Sequence, residues 1–273
     1  MINRNIYRWE LKRHRSSFLV WCISIGGLIV LGMAFFPIMV QEAVIQNMSA
    51  FFETGIMKSL MAAFGATMES LTNVLGFYCT RNAMFVQILG SFFSIMLASK
   101  ILAQEEHEKS AEFLLSKPVT RIEILSSKLA AYFTYLLMLN GAIVLIGFIS
   151  LELFKGESQY RLSSFLVHSL YSFLLMLTFG AIGLFLSLLI KRGRPTTNIS
   201  IGIVMGGYFF DFLSKITPAA DKLGYLSPFK FVDSSVMRPD YGLDWWRVLY
   251  FVGVTFVLTV AAFWIYKKKD ILV

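Results

Sequence analysis

Charge is scarce in this chain. Asp, Glu, Lys and Arg make up 15% of its 273 residues, against roughly 25% in ordinary soluble domains. That shortage argues against a water-soluble globule, which needs a charged surface. Helix breakers are few as well. The six prolines are Pro37, Pro118, Pro195, Pro218, Pro228 and Pro239, so most of the chain has no residue that would interrupt an intrahelical hydrogen bond. The two cysteines, Cys22 and Cys79, fall in an apolar run and in a stretch that reads as loop. A disulfide framework is therefore not expected, and no metal-ligand spacing exists. The three histidines, His14, His107 and His168, are far apart. His107 sits among glutamates, and all three read as solvated or interfacial side chains rather than ligands. No G-x-x-x-x-G-K-[ST], H-E-x-x-H or G-x-S-x-G motif occurs. A phosphate-cradling loop of the P-loop kind is thus excluded from this chain, and no catalytic residue is assigned.

Hydrophobic residues are abundant. They account for 56% of the sequence, with 26 Phe and 19 Gly, and the mean hydropathy is +0.66. They fall in blocks long enough to cross a bilayer, which takes about 20 mostly apolar residues. Six blocks qualify: Phe18–Val40, Ala83–Leu102, Leu129–Leu153, Phe165–Ile190, Ile199–Ile216 and Val248–Tyr266. The expectation is an all-α, polytopic membrane protein with six transmembrane helices, forming one domain over 1–273. The start, MINRNIYRWELKRHRSS, is too polar and too long for a cleavable signal. It reads as a basic amphipathic helix ahead of an uncleaved first span. Between spans one and two, Val44, Ile45, Met48, Phe51 and Phe52 recur at helical spacing and suggest a surface amphipathic helix.

Orientation follows from Lys and Arg in the short loops. Sixteen of the 25 lie on the side holding both termini and the loops after spans two and four, and nine lie on the other. Both termini are therefore expected in the cytoplasm, and the net charge of +8 is a topology signal rather than a nucleic-acid footprint. Outer loops are expected at 41–82 and 217–247. Tyr225, Phe229, Phe231, Trp245 and Trp246 suit the outer headgroup level; re-entrant helices and an ordered surface loop both remain open there. Charges within the spans are few. Glu152 and Asp211 lie near outer ends, where they can snorkel or pair. Asn140 is the main mid-span polar residue, with a neighbouring helix as its expected partner. Gly202 and Gly206 form a G-x-x-x-G in span five, which permits close helix approach.

One cytoplasmic stretch, within 103–128, carries more information. It runs Glu105-Glu106-His107-Glu108-Lys109-Ser110-Ala111-Glu112-Phe113-Leu114-Leu115-Ser116-Lys117-Pro118-Val119-Thr120-Arg121. Neither Gly nor Pro separates it from span two, so that helix can continue past the membrane. Pro118 stops it. Thr120 and Glu123 form a capping box that starts the next helix. A helix–break–helix knuckle results, with a charged face and an apolar patch. A solvated loop and a partner surface are both compatible with that pattern, and the run of Phe113, Leu114 and Leu115 favours a partner.

At these residues the chain resembles the permease subunits of type-2 ATP-binding-cassette exporters. That family carries an acidic run after its second span, then Gly-Thr, Glu, two leucines, Ser, Pro-Val-Ser and Arg. Here Ser110 stands at the Thr, Glu112 at the Glu, and Leu114, Leu115 and Ser116 match directly. Pro118, Val119, Thr120 and Arg121 follow with one conservative change. Lys109 replaces the usual Gly, which favours a continuous helix. Ser227-Pro228-Phe229 before the last span and a basic tail ending Lys269-Asp270-Ile271 extend the likeness to the whole layout.

The resemblance implies a plasma-membrane permease that dimerises and couples to a separate cytoplasmic ATPase. The coupling residues would be Glu105, Glu106, Glu108, Ser110, Glu112, Leu114, Leu115, Pro118 and Arg121. Gly202 and Gly206 would contribute to a dimer contact. ATP and Mg would be held by the partner subunit, with no cofactor on this chain. The helix around Tyr7–Arg15 would lie on the inner membrane surface beside the coupling loop, or anchor to anionic lipid. An ion-coupled secondary transporter is the alternative. It is weakened by the scarcity of buried carboxylates and the lack of an internal repeat. A membrane-embedded enzyme would need a polar cluster at one depth, which the spans do not offer.

Overall fold

The computed structural model describes residues 2–46, 61, 66–107, 120–189, 196–216 and 218–268. Six long helices dominate: α1 (Arg4–Ala34), α2 (Ala83–His107), α3 (Arg121–Phe154), α4 (Leu162–Leu189), α5 (Thr196–Ile216) and α6 (Trp245–Lys268). All six are long and apolar enough to cross a membrane. No strand occurs among the described residues. The all-helical architecture follows from the solvent, because in hydrocarbon each backbone N–H and C=O must be satisfied within its own segment.

The amphipathic start and the first span form one element. Asn3 caps α1, accepting hydrogen bonds from the amides of Asn5 and Ile6. The helix then runs unbroken to Ala34, where Pro37 forces a new start in the short helix Phe36–Met39. Helix α4 lies at the centre, packing along α2 and α6. α1 packs along α3, and α5 rests mainly on α2. Where α2 meets α4 the backbones approach closely. A Cβ on Gly183 would stand 2.5 Å from the carbonyl oxygen of Ile95, and one on Gly180 would collide with the Tyr132 hydroxyl. Small residues at such crossings let membrane helices gain contact without a hydrophobic driving force.

The two long segments between spans, at 41–82 and 217–247, contain helical turns among their described residues. Residues 42–46 are helical, while Met48, Phe51 and Phe52 of the expected surface helix lie outside the described residues. Farther on, Thr67 and Ser70 make a capping box at the start of Met68–Thr72, and Asn73 caps Val74–Phe77. A π-helical turn, Tyr78–Asn82, leads into α2. Val74, Phe77 and Tyr78 are buried. Phe77 meets Phe36 at 5.4 Å between ring centroids, and Tyr78 meets Phe165 edge-on at 5.5 Å. Cys79, read from sequence as a loop residue, is therefore corrected to an interior one, 4% exposed and free. The apolar residues around it draw this segment into the bundle.

The second of these segments holds short helices at Pro218–Ala220, Asp221–Gly224 and Pro228–Phe231. Tyr225, Trp245 and Trp246 are exposed, as headgroup anchors would be. Phe229 departs from that expectation. It is buried against Phe179 and Tyr208, with ring centroids 5.2 and 5.7 Å away. Asp233 organises the remainder. It accepts from Arg238 at 2.6 Å and from the Ser235 amide at 2.9 Å, and Arg247 stands 3.7 Å away. Tyr241 donates to the Asp233 carbonyl at 3.0 Å. Burial pushes the Tyr241 phenol above its usual range, so it remains a donor.

Candidate functional site

Two helix ends frame the segment singled out from the sequence. α2 continues without interruption to His107, as the lack of Gly and Pro foretold. α3 begins at the expected capping box. The Glu123 amide donates to Thr120 Oγ1 at 3.2 Å, and the Thr120 amide donates to Glu123 Oε2 at 3.0 Å. Glu105 and Glu106 sit in the last turn of α2, and Arg121 is the first residue of α3. Glu108, Ser110, Glu112, Leu114, Leu115 and Pro118 lie outside the described residues. Two stiff helices thus bracket 108–119 and lead directly into spans two and three.

Behind this frame lies a buried polar cluster that the sequence reading missed. Lys128 on α3 and Glu10 on α1 are each 1% exposed, with Nζ and Oε1 3.2 Å apart. Nζ also donates to the backbone carbonyl of Ile101 on α2 at 2.5 Å. Oε2 of Glu10 stands 3.4 Å from Nε2 of His14, one turn along α1. His14, expected at the membrane interface, is therefore buried instead. The i,i+4 spacing of Glu10 and His14 was visible in sequence. The distant partner on α3 was not.

Glu152 and Asp211, the two carboxylates near span ends, pair locally. Glu152 binds Lys155 at 2.6 Å and Tyr160 at 2.7 Å, while Asp211 binds Lys215 at 2.7 Å. His168 is a further correction. Rather than being interfacial, it is buried between Gln87 (3.4 Å) and the Asp233 carbonyl (3.3 Å). Asn140 Oδ1 has no hydrogen-bond partner among the described residues, so the interhelical bond expected of it is not made by that atom. A Cβ on Gly202 or Gly206 would meet nothing within 4 Å among the described residues, so this face of α5 is open to them. An apolar cavity of about 400 Å³ opens between α3, α4 and α6, lined by Leu129, Phe133, Leu177, Phe251 and Phe256 among others. Among the described residues, no group of three His, Cys, Asp or Glu could hold a metal ion.

Six long apolar helices, with the described ion pairs lying toward their ends or in the segments between them, define a multi-pass membrane protein. The chain belongs to the ABC-2 family of transporter proteins, whose family model matches residues 4–271. Membership makes it a membrane permease component of an ABC transporter and implies an ATPase partner. No curated protein matches the chain.

Proposed function

We propose that the protein is the permease of an ATP-driven exporter in the plasma membrane, with both termini in the cytoplasm. It pairs with a second copy of itself, and each copy engages a separate ATPase subunit that holds ATP and Mg. The segment from Glu105 to Arg121 is the docking element. The observation that carries this reading is the bracketing of 108–119 by two helices that continue into the membrane as spans. A lever must be stiff to transmit force, and each helix continues from the segment into its span without a break. The basic bias of this face, with sixteen of 25 Lys and Arg residues on it, supports the cytoplasmic orientation. The open Gly202–Gly206 face supports contact with a second copy.

The test is co-purification. The full chain should retain a Walker-motif ATPase from membranes, and deletion of 105–121 should abolish that association while leaving insertion intact. An ATPase still bound to the deletion variant would refute the docking role. Flux driven by an ion gradient without ATP would favour the secondary-transporter alternative.

A further inference from the structure

The first turns of α1 are fastened to α3 by a row of polar links. The Asn3 amide donates to Ser127 Oγ at 2.7 Å, Tyr7 and Thr134 hydroxyls lie 3.0 Å apart, and the Tyr135 hydroxyl donates to the Leu11 carbonyl. Lys128 differs from the others in joining three helices. Its ammonium holds Glu10 of α1 and the Ile101 carbonyl of α2 from a position on α3. Ile101 lies six residues before the described end of α2, and Lys128 lies seven after the start of α3. The junction thus sits within about two turns of the helix ends that bracket 108–119 in sequence.

A buried ammonium without partners is strongly unfavourable, and a buried carboxylate equally so. Sliding α2 away from α3 would strip Lys128 of its carbonyl. Moving α1 away would break the contact between Lys128 and Glu10 and leave the buried carboxylate facing His14 of its own helix. The three helices are therefore constrained to shift together. The remaining polar links join α1 to α3 alone, and none of them reaches α2.

We propose that Lys128 is the joint through which displacement at the base of α2 and α3 is carried into α1, and that Glu10 is its positioning partner. The proposal rests on the reading of 108–119 as the ATPase-docking element. It adds that the first span is driven through a buried ion pair rather than by direct contact with the ATPase. The geometry makes the pair a mechanical coupling: loss of the charges should free α1 without dismantling the bundle.

Hydrogen exchange on the full-length permease tests this in two stages, using K128M and E10M/K128M. The double variant removes both members of the ion pair together and so avoids the lone Glu10 carboxylate that K128M alone would leave beside α3. In the permease alone, E10M/K128M should accelerate exchange at both 4–15 and 97–107, by about tenfold or more, with 165–189 in α4 unchanged. Acceleration confined to one of the two segments, or absent from both, would overturn the joint. In the complex with its ATPase, MgADP–vanadate should alter exchange at both segments of the wild type but only at 97–107 in the double variant. A response at 4–15 that persists in the variant would also overturn it. If 97–107 of the wild-type complex does not respond at all, the docking reading fails and the transmitting role fails with it. The first stage still judges the joint by itself.

Discussion

The hydroxyl of Tyr132 on α3 lies 2.7 Å from Oγ of Ser94 on α2, in a space that exists because residue 180 of α4 has no side chain. Ser94 in turn donates to the Met176 carbonyl on α4. Three helices thus meet at one hydrogen-bonded point within the membrane. A Cβ at position 180 would stand 1.7 Å from the Tyr132 hydroxyl and 2.7 Å from Ser94 Oγ.

Gly180→Ala should therefore destabilise the protein by about 1–3 kcal/mol, the usual range for overpacking. The readout is the thermal unfolding midpoint of the purified permease in detergent. Tyr132→Phe in the same chain removes the nearest clashing atom and should recover part of the loss. An unchanged midpoint in Gly180→Ala alone would contradict the close approach of α3 and α4.

At the start of α3, Thr120→Ala removes the acceptor for the Glu123 amide. Exchange of the amides at 121–123 should rise roughly fivefold, in keeping with the loss of a helix N-cap. Thr120→Ser should behave as wild type, since it keeps the hydroxyl. Equal exchange in the Ala and Ser variants would mean that the cap does not hold this helix end.

Asp233 is the anchor of the segment between α5 and α6, with Arg238, the Ser235 amide and Arg247 around a carboxylate that is almost fully buried. Asp233→Asn keeps the shape and removes the charge. It should cost about 1–3 kcal/mol, because two guanidinium groups lose a charged acceptor. Limited proteolysis between 234 and 244 should become faster, with the spans remaining protected. A cleavage pattern identical to wild type would show that the segment is held by its aromatic residues instead.

The open face of α5 separates fold from assembly. A Cβ at Gly202 or Gly206 meets nothing among the described residues, so Gly202→Leu and Gly206→Leu should move the unfolding midpoint of the monomer little. Cross-linking between two copies in membranes should fall sharply if this face is the dimer contact. Undiminished cross-linking would place that contact elsewhere.

The sequence made the spans legible because hydrocarbon tolerates so few patterns. Runs such as Leu129–Leu153 and Phe165–Ile190 contain little that could be anything but a buried or lipid-facing helix. The Thr120–Glu123 box was readable for a related reason: its partners are three residues apart, and their chemistry is local. The extension of α2 beyond Leu102 was readable from what is missing, a Gly or Pro to stop it. By contrast, Phe229 and Tyr225 carry similar rings in neighbouring positions, yet one is buried and the other exposed. Nothing in their sequence spacing distinguishes them.

By itself, then, the sequence determined the solvent, the helices, their polarity of charge and the helix end at Thr120, since each of these is set by residues within a few positions of one another. Tertiary structure alone decided that Lys128 would meet Glu10 and Ile101, that His168 would settle beside Gln87, and that Cys79 would leave the surface. Those outcomes depend on which helices become neighbours and at what height. Packing fixes both, through close approaches such as that at Gly180, and no local pattern of residues encodes them.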